Sequence, residues 1–136
     1  LPLHLIKLAV GAQSLDDVSR WQASRPRPLK HQTRNMPRRA AEIIDGGSIY
    51  WVINRFLSAR QRVVGIVEGK RADGTACTDL LLDRALVPVQ GRPVKPFQGW
   101  RYLSATDAPL DAPSGSANAP ALPESLRREL ASLGLL

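Results

Sequence analysis

Residues 48–68 read SIYWVINRFLSARQRVVGIVE, and this stretch decides the fold. β-Branched and aromatic residues crowd both halves, and such side chains fit a pleated, half-buried surface. The first half, 48–57, is apolar on both of its alternating faces, as a central strand is. The second, 60–68, reads as its neighbour, and the two are expected to pair as a hairpin turning at Ser58-Ala59. Beyond them, 70–75 carries Asp73-Gly74, a strong turn signal. Two more strands are expected at 76–82 and 85–90. Pro88 marks the second as an edge or a bulge, because proline cannot donate to a ladder. Residues 97–103 (FQGWRYL) read as the last strand.

Upstream, 3–10 (LHLIKLAV) is a short apolar strand closed by Gly11. Ser14 is a plausible N-cap, with Asp16 and Asp17 favouring the positive end of a helix. Leu15, Val18, Trp21 and Gln22 follow helical spacing, which predicts a helix over 15–24 stopped by Pro26 and Pro28. Residues 30–35 (KHQTRN) fit either a short polar strand or a loop. Pro37 suits a first helical position and Gly46-Gly47 a helix end, so a second helix is expected over 37–45.

The chain has 136 residues, 43% hydrophobic and 23% charged, which suits one globular domain with a core of its own. Composition shifts at Ser104. Residues 104–121 are mostly Ala, Pro, Ser, Asp and Gly, a linker too polar to order itself. Leu122, Leu126, Leu130 and Leu133 then form one stripe of a short amphipathic helix within 122–136. The expected organisation is a globular domain over 1–103, the linker 104–121 and that helix. No apolar run reaches the roughly 20 residues a membrane helix needs. The N-terminal residues lack the pattern of a secretory signal. Cys77 is the only cysteine, so no intrachain disulfide is available. A cytoplasmic location is the expectation.

Charge is placed unevenly. Residues 1–103 hold 17 Lys or Arg against 8 Asp or Glu. From Val18 to Ala41 there is no acid at all, but there are six arginines and Lys30. Such a patch attracts polyanions, although a plain solvated face would have the same composition. Arg55, Arg60 and Arg62 lie in the central hairpin, and Trp100, Arg101 and Tyr102 in the closing strand. Aromatic faces stack on unpaired bases, and arginine both pairs with phosphate and stacks. These residues, with Arg34, Arg38 and Arg39, are the candidate nucleic-acid contacts, and RNA is the expected partner. Trp51 is expected in the core.

Two His and one Cys show no ligand spacing, so neither a metal nor a cofactor is expected. Gly65 to Lys70 (GIVEGK) is too short between its glycines for a P-loop. One catalytic alternative is Lys30 as base, Thr33 as nucleophile and Glu68 as proton relay, if a dry pocket unites them. The plain reading of Lys30 to Arg34 is a solvent-facing basic strand. A third possibility is an adaptor docking through its C-terminal leucine stripe.

Three stretches carry a resemblance: HLIKLAVGAQSLDD at 4–17, GGSIYWVINRFLSARQRVVGI at 46–66 and PFQGWRYL at 96–103. Through them the chain resembles an alphaproteobacterial family of domains of unknown function over nearly all of 1–103, with the tail outside. It is also distantly similar to the PUA-like superfamily and its ASCH branch. That likeness rests on a helix before a Lys/Thr/Arg segment and on a strand ending in VVGIVE. It implies a small barrel with peripheral helices and RNA binding, or a small amidohydrolase using Lys30, Thr33 and Glu68. The interposed helix 37–45 departs from that pattern. The fold class expected is α+β, a small mixed or antiparallel barrel or curved sheet with two peripheral helices and a C-terminal helix on a linker.

Overall fold

The first strand, β1 (Leu3–Leu8), lies between two partners far away in sequence. It runs parallel to β3 (Ser48–Ile53) and antiparallel to β6 (Trp100–Ser104). The other strands are β2 (Lys30–Thr33), β4 (Phe56–Lys70) and β5 (Ala76–Pro93), joined in one mixed sheet of order β2-β5-β4-β3-β1-β6. Two short helices complete the fold, α1 (Leu15–Ala23) and α2 (Ala40–Ile44). The computed structural model describes residues 2–112. The linker beyond Ala112 and the leucine stripe therefore lie outside the described residues.

The sheet is open, with β2 and β6 as its edges, so the barrel form of the expectation is not realised. It is nevertheless strongly curled. Asn35, just past β2, accepts a hydrogen bond from Nε1 of Trp100 on β6 at 3.1 Å. The backbone N–H of Arg39 donates to the Tyr102 hydroxyl at 3.2 Å. Segment 34–39 thus spans the gap between the edges through side chains instead of a ladder.

Each face has its own core. On one, Leu5, Ile49, Trp51 and Leu80 pack with Val18 of α1 and Ile43 of α2. On the other, Ile6, Tyr50, Val52 and Leu57 pack with Phe97 and Ala108 from the chain flanking β6. Strand alternation makes this division inevitable, since β3 is apolar at every position but Ser48 and buried throughout. Each fully buried Leu or Ile contributes roughly 1.5–3 kcal/mol by leaving water. His4 is structural: its Nδ1 accepts from the Ser48 N–H at 3.0 Å, fastening β1 to the start of β3.

Several local outcomes differ from the sequence reading. The β3–β4 hairpin turns at Asn54-Arg55, not Ser58-Ala59, because Ile53 pairs directly with Phe56. Both turn residues have positive φ, 50° and 65°, as a tight two-residue hairpin loop requires. Ser58 is instead a bulge, passed over as the pairing steps from Val52–Leu57 to Trp51–Ala59. The expected strands 76–82 and 85–90 are one bent strand, whose register against β4 slips at three places. Pro88 itself pairs with Ala59, and one slip follows it, before Arg92 pairs with Leu57. α2 begins at Ala40, not at Pro37. Met36 has no oxygen to cap a helix starting at Pro37, and a residue before proline is driven extended. At its other end, Gly47 passes so close to Leu3 and Ile43 that a Cβ would collide with both carbonyls. α1 follows its prediction, with Ser14 Oγ accepting from the Asp17 N–H.

The chain after β6 is not free at its start. Asp111 bridges to Val89 of β5, and Gln90 N–H donates to Leu110 O at 2.8 Å. An ion pair from Arg60 to Asp111 holds the same strap from the side.

Candidate functional site

The expected nucleic-acid residues fall into three groups. Arg34, Arg38 and Arg39 lie on the segment that crosses from β2 to β6. The guanidinium groups of Arg34 and Arg38 are exposed and make no hydrogen bond or ion pair with the described residues. Arg39 is forked onto Glu42 at 2.6 and 2.7 Å and stands 5.8 Å over the Tyr102 ring. Trp100 meets Tyr102 edge to face at 5.0 Å. The fold therefore brings segment 34–39, which carries Arg34, Arg38 and Arg39, against Trp100 and Tyr102, though about 65 residues separate them in sequence.

Arg55 and Arg101 form the second group. Arg55 is exposed at the hairpin tip, and Arg101 turns to the opposite face, 4.6 Å over the Phe97 ring. The third group is internally engaged. Arg60 forks onto Asp111 at 2.6 and 2.7 Å and reaches Ser48 Oγ. Arg62 donates to the carbonyls of Gly47 at 2.9 Å, Ile44 at 2.7 Å and Val63, tying β4 to the end of α2.

Lys30, Thr33 and Glu68 are not brought into one pocket. Three residues apart on a strand, Lys30 and Thr33 leave opposite faces. Lys30 Nζ lies 3.7 Å from an Asp79 carboxylate oxygen. Thr33 is buried opposite Thr78. Glu68 borders a separate open cleft beside Arg34, Met36 and Cys77, which neither Lys30 nor Thr33 lines. Burial and neighbouring Asp79 push the Cys77 thiol up, away from reactivity. No cluster of potential metal ligands occurs among the described residues.

A cavity of about 180 Å³ opens instead between α1 and the sheet. Its walls are Val18 and Trp21 of α1, Leu29, Trp51 and Leu82, with Lys7, Arg25, Lys30 and His31 among them. No Asp or Glu lines it. Trp51 is locked in place by an amide network. Its Nε1 donates to Gln61 Oε1 at 3.1 Å, and Gln61 exchanges two hydrogen bonds with the Gln22 side chain at 2.9 and 2.7 Å. Gln61 also donates to Asp83 O, and Arg84 donates to the carbonyls of Gln22 and Arg25 beside it. Trp21 closes the outer wall, still 43% exposed.

Electrostatics in the cavity are one-sided. Lys7 is half-buried and makes no ion pair with the described residues; desolvation, then Arg71, lowers its pKa. His31 packs edge to face on Trp51 at 5.1 Å. Burial foremost, then Lys7, Arg25 and Arg71, lowers its pKa to about 4, so the ring is neutral at pH 7. Its Nε2 is shielded from solvent and has no hydrogen-bond partner. Sequence reasoning passed over Lys7, Trp21, Arg25 and His31 as site residues. The available signal was the acid-free run from Val18 to Ala41, which supplies three of the four.

A curled mixed sheet with two short helices on one face, a basic aromatic edge and a small cationic cavity defines an α+β domain. The chain belongs to the family described as "Protein of unknown function (DUF1489)", whose model matches residues 5–136. The match takes in the tail that the sequence resemblance left outside. No curated protein and no solved structure matches the chain. No helix among the described residues is long and apolar enough to cross a membrane.

Proposed function

We propose that this domain is a non-catalytic module that binds single-stranded RNA. The observation that carries the reading is the fastening of Arg34 to Arg39 alongside Trp100 and Tyr102. The segment so fastened carries two guanidinium groups with no partner among the described residues, and cationic groups together with aromatic side chains are the combination that tracks a backbone and stacks its bases. In this reading Arg34, Arg38, Arg55 and Arg101 contact phosphates, and Trp100 or Tyr102 stacks on a base. Arg39 orients the Tyr102 ring. Arg60 and Arg62 support the platform through their internal bonds.

The test is binding of a labelled single-stranded RNA at several salt concentrations. Affinity should fall linearly with salt on logarithmic axes, with a slope of about −0.7 per phosphate contact. The double variant Arg34→Glu, Arg38→Glu should lower affinity at least tenfold and flatten that slope. Salt-independent binding, or an unchanged affinity in the double variant, overturns the proposal.

A further inference from the structure

We propose that the cavity beneath α1 binds one pyrimidine nucleotide, with its ring inside and its phosphate at the mouth. This inference does not rest on the surface reading, because none of the cavity-lining residues belongs to that surface. Four observations lead to it.

Size comes first. An apolar protein cavity of about 150 Å³ takes one benzene ring. A space of about 180 Å³ therefore suits a single six-membered ring better than a purine. Shape comes second. Trp51 is held rigid by Gln61, and Trp21 stands at the outer wall, so two tryptophans line the space the ring enters. Base-on-aromatic stacking is favourable for every base.

Charge is the third. Lys7 and Arg25 line the cavity with no carboxylate between them, and Lys7 is half-buried without a counter-ion among the described residues. An uncompensated cation in such a place is costly, and an anion at the mouth relieves it. A neutral aromatic ligand would leave that cost in place. The fourth is polar. Among the described residues, His31 Nε2 is the one shielded side-chain nitrogen or oxygen that lacks a partner. Native structures rarely leave such an atom unpaired. His31 lines the cavity, and a turn of its ring would bring Nε2 to a heteroatom on the ligand's ring edge, a partner that a plain benzene ring does not offer. Together these features select a heteroaromatic ring that carries an anion. Such a nucleotide can arrive free or as an unpaired residue of an RNA chain.

The experiment is calorimetric titration of the full chain with uridine and cytidine monophosphates, adenosine monophosphate and inorganic phosphate, and with a short oligouridylate. A pyrimidine monophosphate should bind at least tenfold tighter than inorganic phosphate or adenosine monophosphate. Lys7→Gln should weaken it at least tenfold, and Arg25→Gln, an exposed position safe for folding, several-fold. His31→Phe keeps the wall and removes the nitrogen, and it too should weaken binding. Binding of the monophosphate should survive Arg34→Glu, Arg38→Glu. If only the oligouridylate binds, and Lys7→Gln weakens it tenfold, the nucleotide is one carried by a chain. Equal affinity for adenosine monophosphate overturns the ring-size argument, and equal affinity for inorganic phosphate reduces the site to an anion hole; either defeats the proposal. Oligouridylate binding that responds to Arg34 and Arg38 but not to Lys7 defeats it as well, and leaves the surface reading intact.

Discussion

Nε1 of Trp100 donates to the backbone carbonyl of Asn35 across 3.1 Å, and so joins the two edges of an open sheet. Trp100→Phe keeps an aromatic ring and removes only the donor. It should cost about 1 kcal/mol, the usual net worth of one hydrogen bond. Urea unfolding checks this. An unchanged midpoint would mean the edges are held by other contacts.

Gln61 is fully buried and is the hub that fixes Trp51. Gln61→Met preserves much of its volume and strands the indole N–H without a partner. A loss of about 1–3 kcal/mol follows from leaving a buried donor unsatisfied. The same variant should broaden the Trp51 indole signal in a proton–nitrogen NMR spectrum. A sharp, unshifted signal would show that the ring needs no such anchor.

The pH dependence of stability should carry the mark of His31. Its pKa in the fold, about 4, lies below the usual 6.5. The folded protein thus binds fewer protons than the unfolded chain between those values. Stability is full above about pH 6.5 and falls as pH drops toward 4, by up to about 3 kcal/mol. His31→Phe should flatten this part of the curve. An NMR titration that finds the ring protonated near pH 6.5 would refute the assignment.

Asp111 behaves as a clasp. The Arg60 fork holds its carboxyl below the usual carboxylate range. Because the folded value is the lower one, the stabilisation is present at neutral pH. It fades as pH falls through the folded value. Both partners reach solvent, so Asp111→Asn should cost at most about 1 kcal/mol at pH 7. The difference from the parent chain should vanish in strong acid, which denaturant curves at pH 7 and pH 2 would reveal.

Arg55 sits at φ 65° in the hairpin loop, a conformation glycine adopts without cost. Arg55→Gly creates Asn-Gly, a favoured pair for such a loop. Stability should rise by about 1 kcal/mol. Under the proposed function, RNA affinity falls at the same time and the salt slope shallows by about 0.7. A gain in stability with unchanged RNA binding would remove Arg55 from the contact surface.

The strands and α1 were legible because their cues are local: alternation in Ser48 to Ile53, and the Ser14 cap with its acidic first turn. The hairpin turn was misplaced because Asn54-Arg55 lacks the glycine that advertises such loops, whereas Ser58-Ala59 interrupts the apolar run. The contacts that join the two edges link the Trp100 and Tyr102 side chains to the backbone of Asn35 and Arg39, which no periodicity encodes. For the same reason the cavity was invisible. It gathers Lys7, Arg25, His31 and Trp51 from four separate segments, and Trp51 looked like ordinary core. Sequence spacing suggested that Lys30 and Thr33 could meet, but strand alternation sends them apart.

The parallel pairing of β1 with β3 also bears on how the chain is made. Leu3 to Leu8 leave the ribosome well before residues 48–53 and 100–104, the strands they pair with among the described residues. At about 5–20 residues per second, the wait for β6 alone is on the order of 5–20 s. Until residues 48–53 follow, roughly halfway through it, this apolar strand lacks its parallel mate, and its other edge stays open until β6 is made. That interval is when a chaperone would find this protein, and when a crowded polysome would be most prone to cross-pairing.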